Sequence, residues 1–165
     1  MGSIMKNEQL PKRRKIRLSQ YDYSSNGLYF ITICTKNRKR LLSEIQLDTA
    51  TIPQPPKIML TIYGRLVEDS ILRMETFYPE VRILNYVVMP NHVHLLLFLY
   101  SDKDKKSPSV SQIIQQFKGA VTKQAGFPIW QSRFYDHVVR LEKDLQDIVT
   151  YIENNPARWA EDEYF

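Results

Sequence analysis

The 165-residue sequence holds a single cysteine, Cys34, so no disulfide can form within it. Its place in the apolar run LYFITICT marks it as a small buried hydrophobe, which fits a reducing cytoplasm. Long hydrophobic runs are also missing. The longest, Leu95 to Tyr100, falls far short of the roughly 20 residues a membrane helix needs, so no membrane partner is expected. The opening MGSIMKNEQLPKRRKIRL has no apolar centre and does not read as a secretory signal. Histidine is scarce: His92, His94 and His137 are the only imidazoles from which a site can be built. There is no internal repeat.

What is present suffices for one domain. With 43% hydrophobic and 25% charged residues the chain can bury a core, and a second full domain is not expected. The organisation read from the sequence is a basic arm over residues 1–19 and one domain over 20–165. The net charge of +5 is unevenly spread: residues 1–40 carry ten basic and two acidic side chains, or +8, which leaves −3 for the remainder. Lys12, Arg13, Arg14, Lys15 and Arg17 form one basic run, and Lys36, Arg38, Lys39 and Arg40 a second. Such runs are often solvated faces, but they are also the footprint expected of phosphate-backbone binding.

Periodicity gives the element order. Leu28–Thr35 reads as a strand, and the Pro53, Pro55 and Pro56 segment as an excursion between short flanking hairpin strands. Ile62, Leu66, Ile71 and Met74 space an amphipathic helix over 62–77, stopped by Tyr78-Pro79. Val81–Met89 and Asn91–Tyr100 read as antiparallel strands joined at Met89-Pro90-Asn91. Ser109 caps a helix over 110–124 that Gly126 ends. Tyr135–Arg140 is a short strand, and a last helix runs over 141–155 with an apolar stripe of Leu141, Leu145, Ile148 and Ile152. Strand, helix, strand, strand, helix, strand is the split βαβ order. The expected fold is therefore α+β and ferredoxin-like: an antiparallel sheet with helices on one face, plus an extra C-terminal helix.

Two stretches carry the chemistry. In VVMPNHVHLLLFL, His92 and His94 are two residues apart in a strand and so share one face, while Val93 faces the other layer. A lone buried histidine usually satisfies a core hydrogen bond, yet two neutral imidazoles on one face can share a divalent metal. In the last helix Tyr151 and Asn155 are i and i+4 neighbours, with Asp144 along the same flank. Pro156 biases Asn155 away from helical geometry. If that helix lies over the histidine pair, a metal on His92, His94 and the Asn155 oxygen can polarise a phosphodiester for attack by the Tyr151 hydroxyl. The product is a phosphotyrosine, itself a phosphodiester, so the same site can cut and rejoin. Trp130, Phe134 and Tyr135, around Arg133, offer rings on which bases can stack.

The ordered set Pro90-Asn91-His92-Val93-His94, Trp130-Gln131, Tyr135-Asp136-His137-Val138-Val139-Arg140 and Tyr151-Ile152-Glu153-Asn154-Asn155-Pro156 resembles the REP-associated tyrosine transposases. These lie within the single-tyrosine insertion-sequence transposases that carry a His-hydrophobic-His motif. Lys15-Ile16-Arg17-Leu18, Tyr21-Asp22-Tyr23-Ser24-Ser25 and Tyr29-Phe30-Ile31-Thr32-Ile33-Cys34-Thr35 fit the same pattern, so the likeness covers nearly the whole chain. The resemblance implies that His92 and His94 bind Mg²⁺ or Mn²⁺, with Asn155 in the place of a third ligand that is Gln in many insertion-sequence relatives. It implies that Tyr151 is the nucleophile, and that the substrate is single-stranded DNA carrying a hairpin, joined through its 5′-phosphate. Lys118, in Gln116-Phe117-Lys118-Gly119, is implied as a phosphate contact. His137 matches a family position without an assigned role. Relatives include dimers that complete each other's sites and others that act as monomers, so a homodimer is open.

Two other readings compete. A nucleic-acid-binding module on the same fold would use the basic arm and the aromatics without a metal or any cleavage. A metallohydrolase would need further ligands, of which His137 is the one remaining histidine.

Overall fold

In the computed structural model, residues 26–46, 54–100 and 107–161 are described. The basic arm with Lys12, Arg13, Arg14 and Arg17 lies outside them.

Strand β1 (Gly27–Cys34) is the centre of a four-stranded antiparallel sheet. It pairs on one side with β5 (His92–Leu99) and on the other with β6 (Tyr135–Val139), and β4 (Val81–Val88) closes the far edge, giving the order β4-β5-β1-β6. That is the split βαβ order expected. Between β1 and the first helix the chain inserts a separate hairpin, β2 (Ser43–Gln46) and β3 (Lys57–Leu60), whose strands flank the proline-rich segment.

Alternation along β1 and β5 divides the sheet into two environments. Tyr29, Ile31, Ile33, Val93, Leu95, Leu97 and Leu99 face a core shared with helices α1 (Ile62–Leu72) and α3 (Val110–Ala125). The opposite face carries Leu28, Phe30 and Leu96, which pack with Leu145, Ile148, Val149 and Ile152 of helix α4 (Glu142–Asn154) and with Ile45 and Ile58 of the hairpin. The register Thr32↔His94 and Cys34↔His92 puts both histidines on this second face.

Two expectations are refined. The helix expected over 62–77 is broken at Arg73 into α1 and a single turn, α2 (Met74–Phe77). Its buried residues are Gly64, Val67, Ile71 and Met74, and Ile62, next to the cap, is exposed. Leu141 does not join the α4 stripe: it is the N-cap, with extended backbone at φ −111 and ψ 145, and its side chain is exposed. Helix α3 begins with a full capping box, in which Ser109 and Gln112 satisfy each other's backbone N–H groups, and ends at Gly126 in the left-handed conformation, φ 81.

The loop from β1 to the hairpin is fixed at several points. Thr35 N–H donates to Asn91 O at 2.9 Å, and its hydroxyl lies 2.7 Å from Lys39 O and 3.0 Å from Asn91 O. Leu42 N–H donates to Pro90 O at 3.0 Å. The start of α1 is seated on the same chain, because a Cβ added at Gly64 would stand 1.9 Å from Leu42 O.

Candidate active site

His92 and His94 are both buried, with ring centroids 4.5 Å apart. Each ring is held by its Nδ1. Asn91 Oδ1 lies 2.8 Å from His92 Nδ1, and as an acceptor it fixes the proton there and leaves the lone pair on Nε2. Thr32 Oγ1 lies 2.8 Å from His94 Nδ1 and can do the same. Holding the outer nitrogen so that the inner one faces a metal is how proteins orient imidazole ligands.

Burial keeps both rings neutral, the state a metal requires. Desolvation pushes the His92 pKa down to about 3, opposed by the nearby Asn155 and assisted by the positive charge of Arg38. His94 is held well below the ordinary histidine range by burial first and by His92 second.

Helix α4 supplies the other half. Its side chain at Tyr151 sits edge-on to His94, with centroids 5.1 Å apart, and edge-on to Phe30 at 6.1 Å. Phe30 in turn stacks on His94 at 5.2 Å. Asn155 follows one turn later, and it keeps helical backbone, φ −57 and ψ −42, despite preceding Pro156. Its side chain is buried, and Oδ1 makes no hydrogen bond of ordinary length although it lies close enough to act on the His92 ring. A buried amide oxygen left this way is costly unless something else occupies it.

Two neutral imidazoles and one amide oxygen therefore converge, a donor set that suits a divalent ion taking nitrogen and oxygen ligands. Among the described residues no group of three His, Cys, Asp or Glu side chains forms, so the third donor would be an amide rather than a carboxylate. His137 does not join them: it is exposed on β6 and pairs with Phe30, which stands between it and His94. The metallohydrolase reading, which looked to it for a further ligand, loses its support.

Past Asn155 the chain turns back, and Trp159 arrives against His92 at 6.1 Å, with the Arg40 guanidinium 5.6 Å over its ring. Neither contact is visible in the sequence, since both depend on the path taken after Pro156. Asn91 and Thr32 were also missed as ring holders. Adjacency to His92 signals the first, and only the strand register gives the second.

Other expected site residues separate. Lys36, Arg38 and Arg133 are exposed, the first two on the loop that leaves β1 beside the histidine pair. Trp130 is buried against Phe117 in the α3 core and presents no face on which a base could stack, and Phe134 is buried too. Lys118 Nζ donates to Gln131 O at 2.7 Å and Ser132 O at 3.0 Å, tying α3 to that loop. Asp144 is in the first turn of α4, where it complements the helix dipole, about 10 Å of helix away from Tyr151.

No protein-family model matches the sequence. An uncharacterised protein of Haemophilus influenzae is 33% identical, with 96% of each chain aligned. An Escherichia coli K12 protein named REP-associated tyrosine transposase is 28% identical over 82% of this chain and 70% of its own length. Among solved structures, that of a REP-associated tyrosine transposase bound to a REP hairpin superposes with a TM-score of 0.62 at 26% identity, covering 86% of this chain and 74% of that one.

Proposed function

We propose that this chain, which is similar over most of its length to REP-associated tyrosine transposases, is a metal-dependent endonuclease and strand transferase acting on single-stranded DNA that carries a hairpin. The observation that carries this reading is the seat of Tyr151: it rests against His94, one helical turn from Asn155, on the sheet face opposite the main core.

Tyr151 is the nucleophile. Its Oη attacks the phosphorus, and the Tyr151 O–P bond forms as the bond to the 3′-oxygen breaks. The phenolic proton passes to water, and the departing 3′-oxygen takes one from water. The DNA is left joined to Tyr151 through its 5′-phosphate, and attack by a 3′-hydroxyl reverses the step. A phenol with an ordinary pKa near 10 is a weak nucleophile at neutral pH. When bound by His92, His94 and Asn155, Mg²⁺ or Mn²⁺ supplies a Lewis acid for the phosphoryl oxygens. Phe30 and His94 fix the tyrosine ring, and Asn91 and Thr32 fix the imidazoles, so the reacting groups are oriented before substrate arrives. Lys36 and Arg133, with Lys12, Arg13, Arg14 and Arg17 of the arm, bind the DNA backbone.

Incubation with hairpin-bearing single-stranded DNA and Mn²⁺ should give a protein band shifted by covalent DNA on a denaturing gel. The adduct should vanish with chelator and in Tyr151→Phe, which should still bind the DNA. An adduct that persists in Tyr151→Phe sinks the assignment of the nucleophile. DNA binding indifferent to chelator, with no adduct on any hairpin, would favour the binding module.

A further inference from the structure

Asn37 and Arg38 have φ of 56 and 53, and among the described residues they are the only non-glycine positions with positive φ. Asparagine tolerates that conformation; arginine has no local reason to adopt it. Strain of this kind persists only where the surroundings impose it, and it gathers at sites of function. Here the surroundings do impose it. Thr35 fastens the start of the loop to Asn91, Lys36 N–H donates to Ile129 O at 2.7 Å, and Leu42 N–H fastens the end of the loop to Pro90. The loop is thus bound to the turn that delivers His92.

Its position along the sheet is also fixed. Tyr151 lies over Phe30 and His94, His92 is paired with Cys34, and the loop departs directly after that pair. The histidines stand between the tyrosine and the loop. Arg38 is exposed on that loop, and the Arg40 guanidinium lies over the Trp159 ring.

Resting on the strand-transfer reading above, we propose that Arg38 is a catalytic residue whose guanidinium donates hydrogen bonds to the non-bridging oxygens of the scissile phosphate, across the histidine pair from Tyr151. It exchanges no proton. As the Tyr151 O–P bond forms and the bond to the 3′-oxygen breaks, the planar fork meets the charge that gathers on the phosphoryl oxygens, which a guanidinium matches in two-pronged geometry. The left-handed backbone is then the means by which the side chain is directed at the phosphate.

The test compares wild type, Arg38→Gly, Arg38→Gln and Tyr151→Phe, using one hairpin-bearing single-stranded oligonucleotide. Three quantities are read: the melting temperature without DNA, the Kd for the oligonucleotide without divalent metal, and the single-turnover rate of adduct formation with Mn²⁺. Glycine accepts the left-handed backbone, so Arg38→Gly should melt about 2–4 °C higher than wild type. Its adduct rate should fall about 100-fold, as should that of Arg38→Gln, while Kd changes less than threefold. Undiminished rates in both variants overturn the proposal. So does a rise in Kd that matches the loss of rate, because it marks an ordinary backbone contact. If wild type itself forms no adduct, the strand-transfer reading fails, and this proposal fails with it; a wild-type adduct with intact Arg38 variants overturns this proposal alone.

Discussion

Thr32 and Asn91 perform the same task from opposite sides, each holding one Nδ1 so that the ring presents Nε2 inward. Thr32→Val keeps the shape of the side chain and removes the hydroxyl. By titration calorimetry the variant should bind Mn²⁺ about 10–100-fold more weakly, with its secondary structure unchanged. At this scale much of the site was legible. Period-two spacing put His92 and His94 on one face, and helical spacing put Tyr151 beside Asn155. Trp130 and Lys118 make contacts that the sequence did not announce, for a shared reason. An aromatic or basic side chain near a suspected DNA surface looks the same in sequence whether it faces solvent or not, and here α3 covers Trp130 while two carbonyls take up the Lys118 ammonium.

Among the elements, α1 depends on a close approach that only glycine allows. Thr61 caps its first turn by accepting from Gly64 N–H at 3.1 Å, and its hydroxyl lies 2.6 Å from Leu41 O. A methyl group at position 64 would collide with the Leu42 carbonyl. Gly64→Ala should therefore cost about 1–3 kcal/mol in chemical denaturation. It should also slow adduct formation, because Leu42 anchors the far end of the Arg38 loop. The element order was readable because apolar spacing switches cleanly between strand and helix periods. The break at Arg73 was not, since the apolar spacing continues through it into Met74.

For the whole molecule, metal binding should appear as stability. A ligand that binds only the folded state at 100 times its Kd adds about 2.7 kcal/mol, or roughly 5–10 °C in melting temperature for a chain of this size. Mn²⁺ should produce that rise in wild type, chelator should remove it, and His92→Ala should show none. The sheet order was foreseen from connection order alone, while the part played by the hairpin was not. Ile45 and Ile58 give no sign in sequence that they join the α4 side of the sheet rather than the main core.

The alternation in β1 and β5 carries a consequence for how this sequence can vary. Core side chains and site side chains interleave one by one along both strands, so each strand has a phase, much as a coding frame does. Inserting or deleting one residue within 27–34 or 92–99 would turn Ile31, Ile33, Leu95 or Leu97 toward α4 and send Thr32 or the histidines into the core. Fold and chemistry would be lost together. A change of two residues would restore the phase but shift the loop that begins at Thr35 relative to Asn91. Substitution can reshape this site residue by residue; a change of strand length cannot.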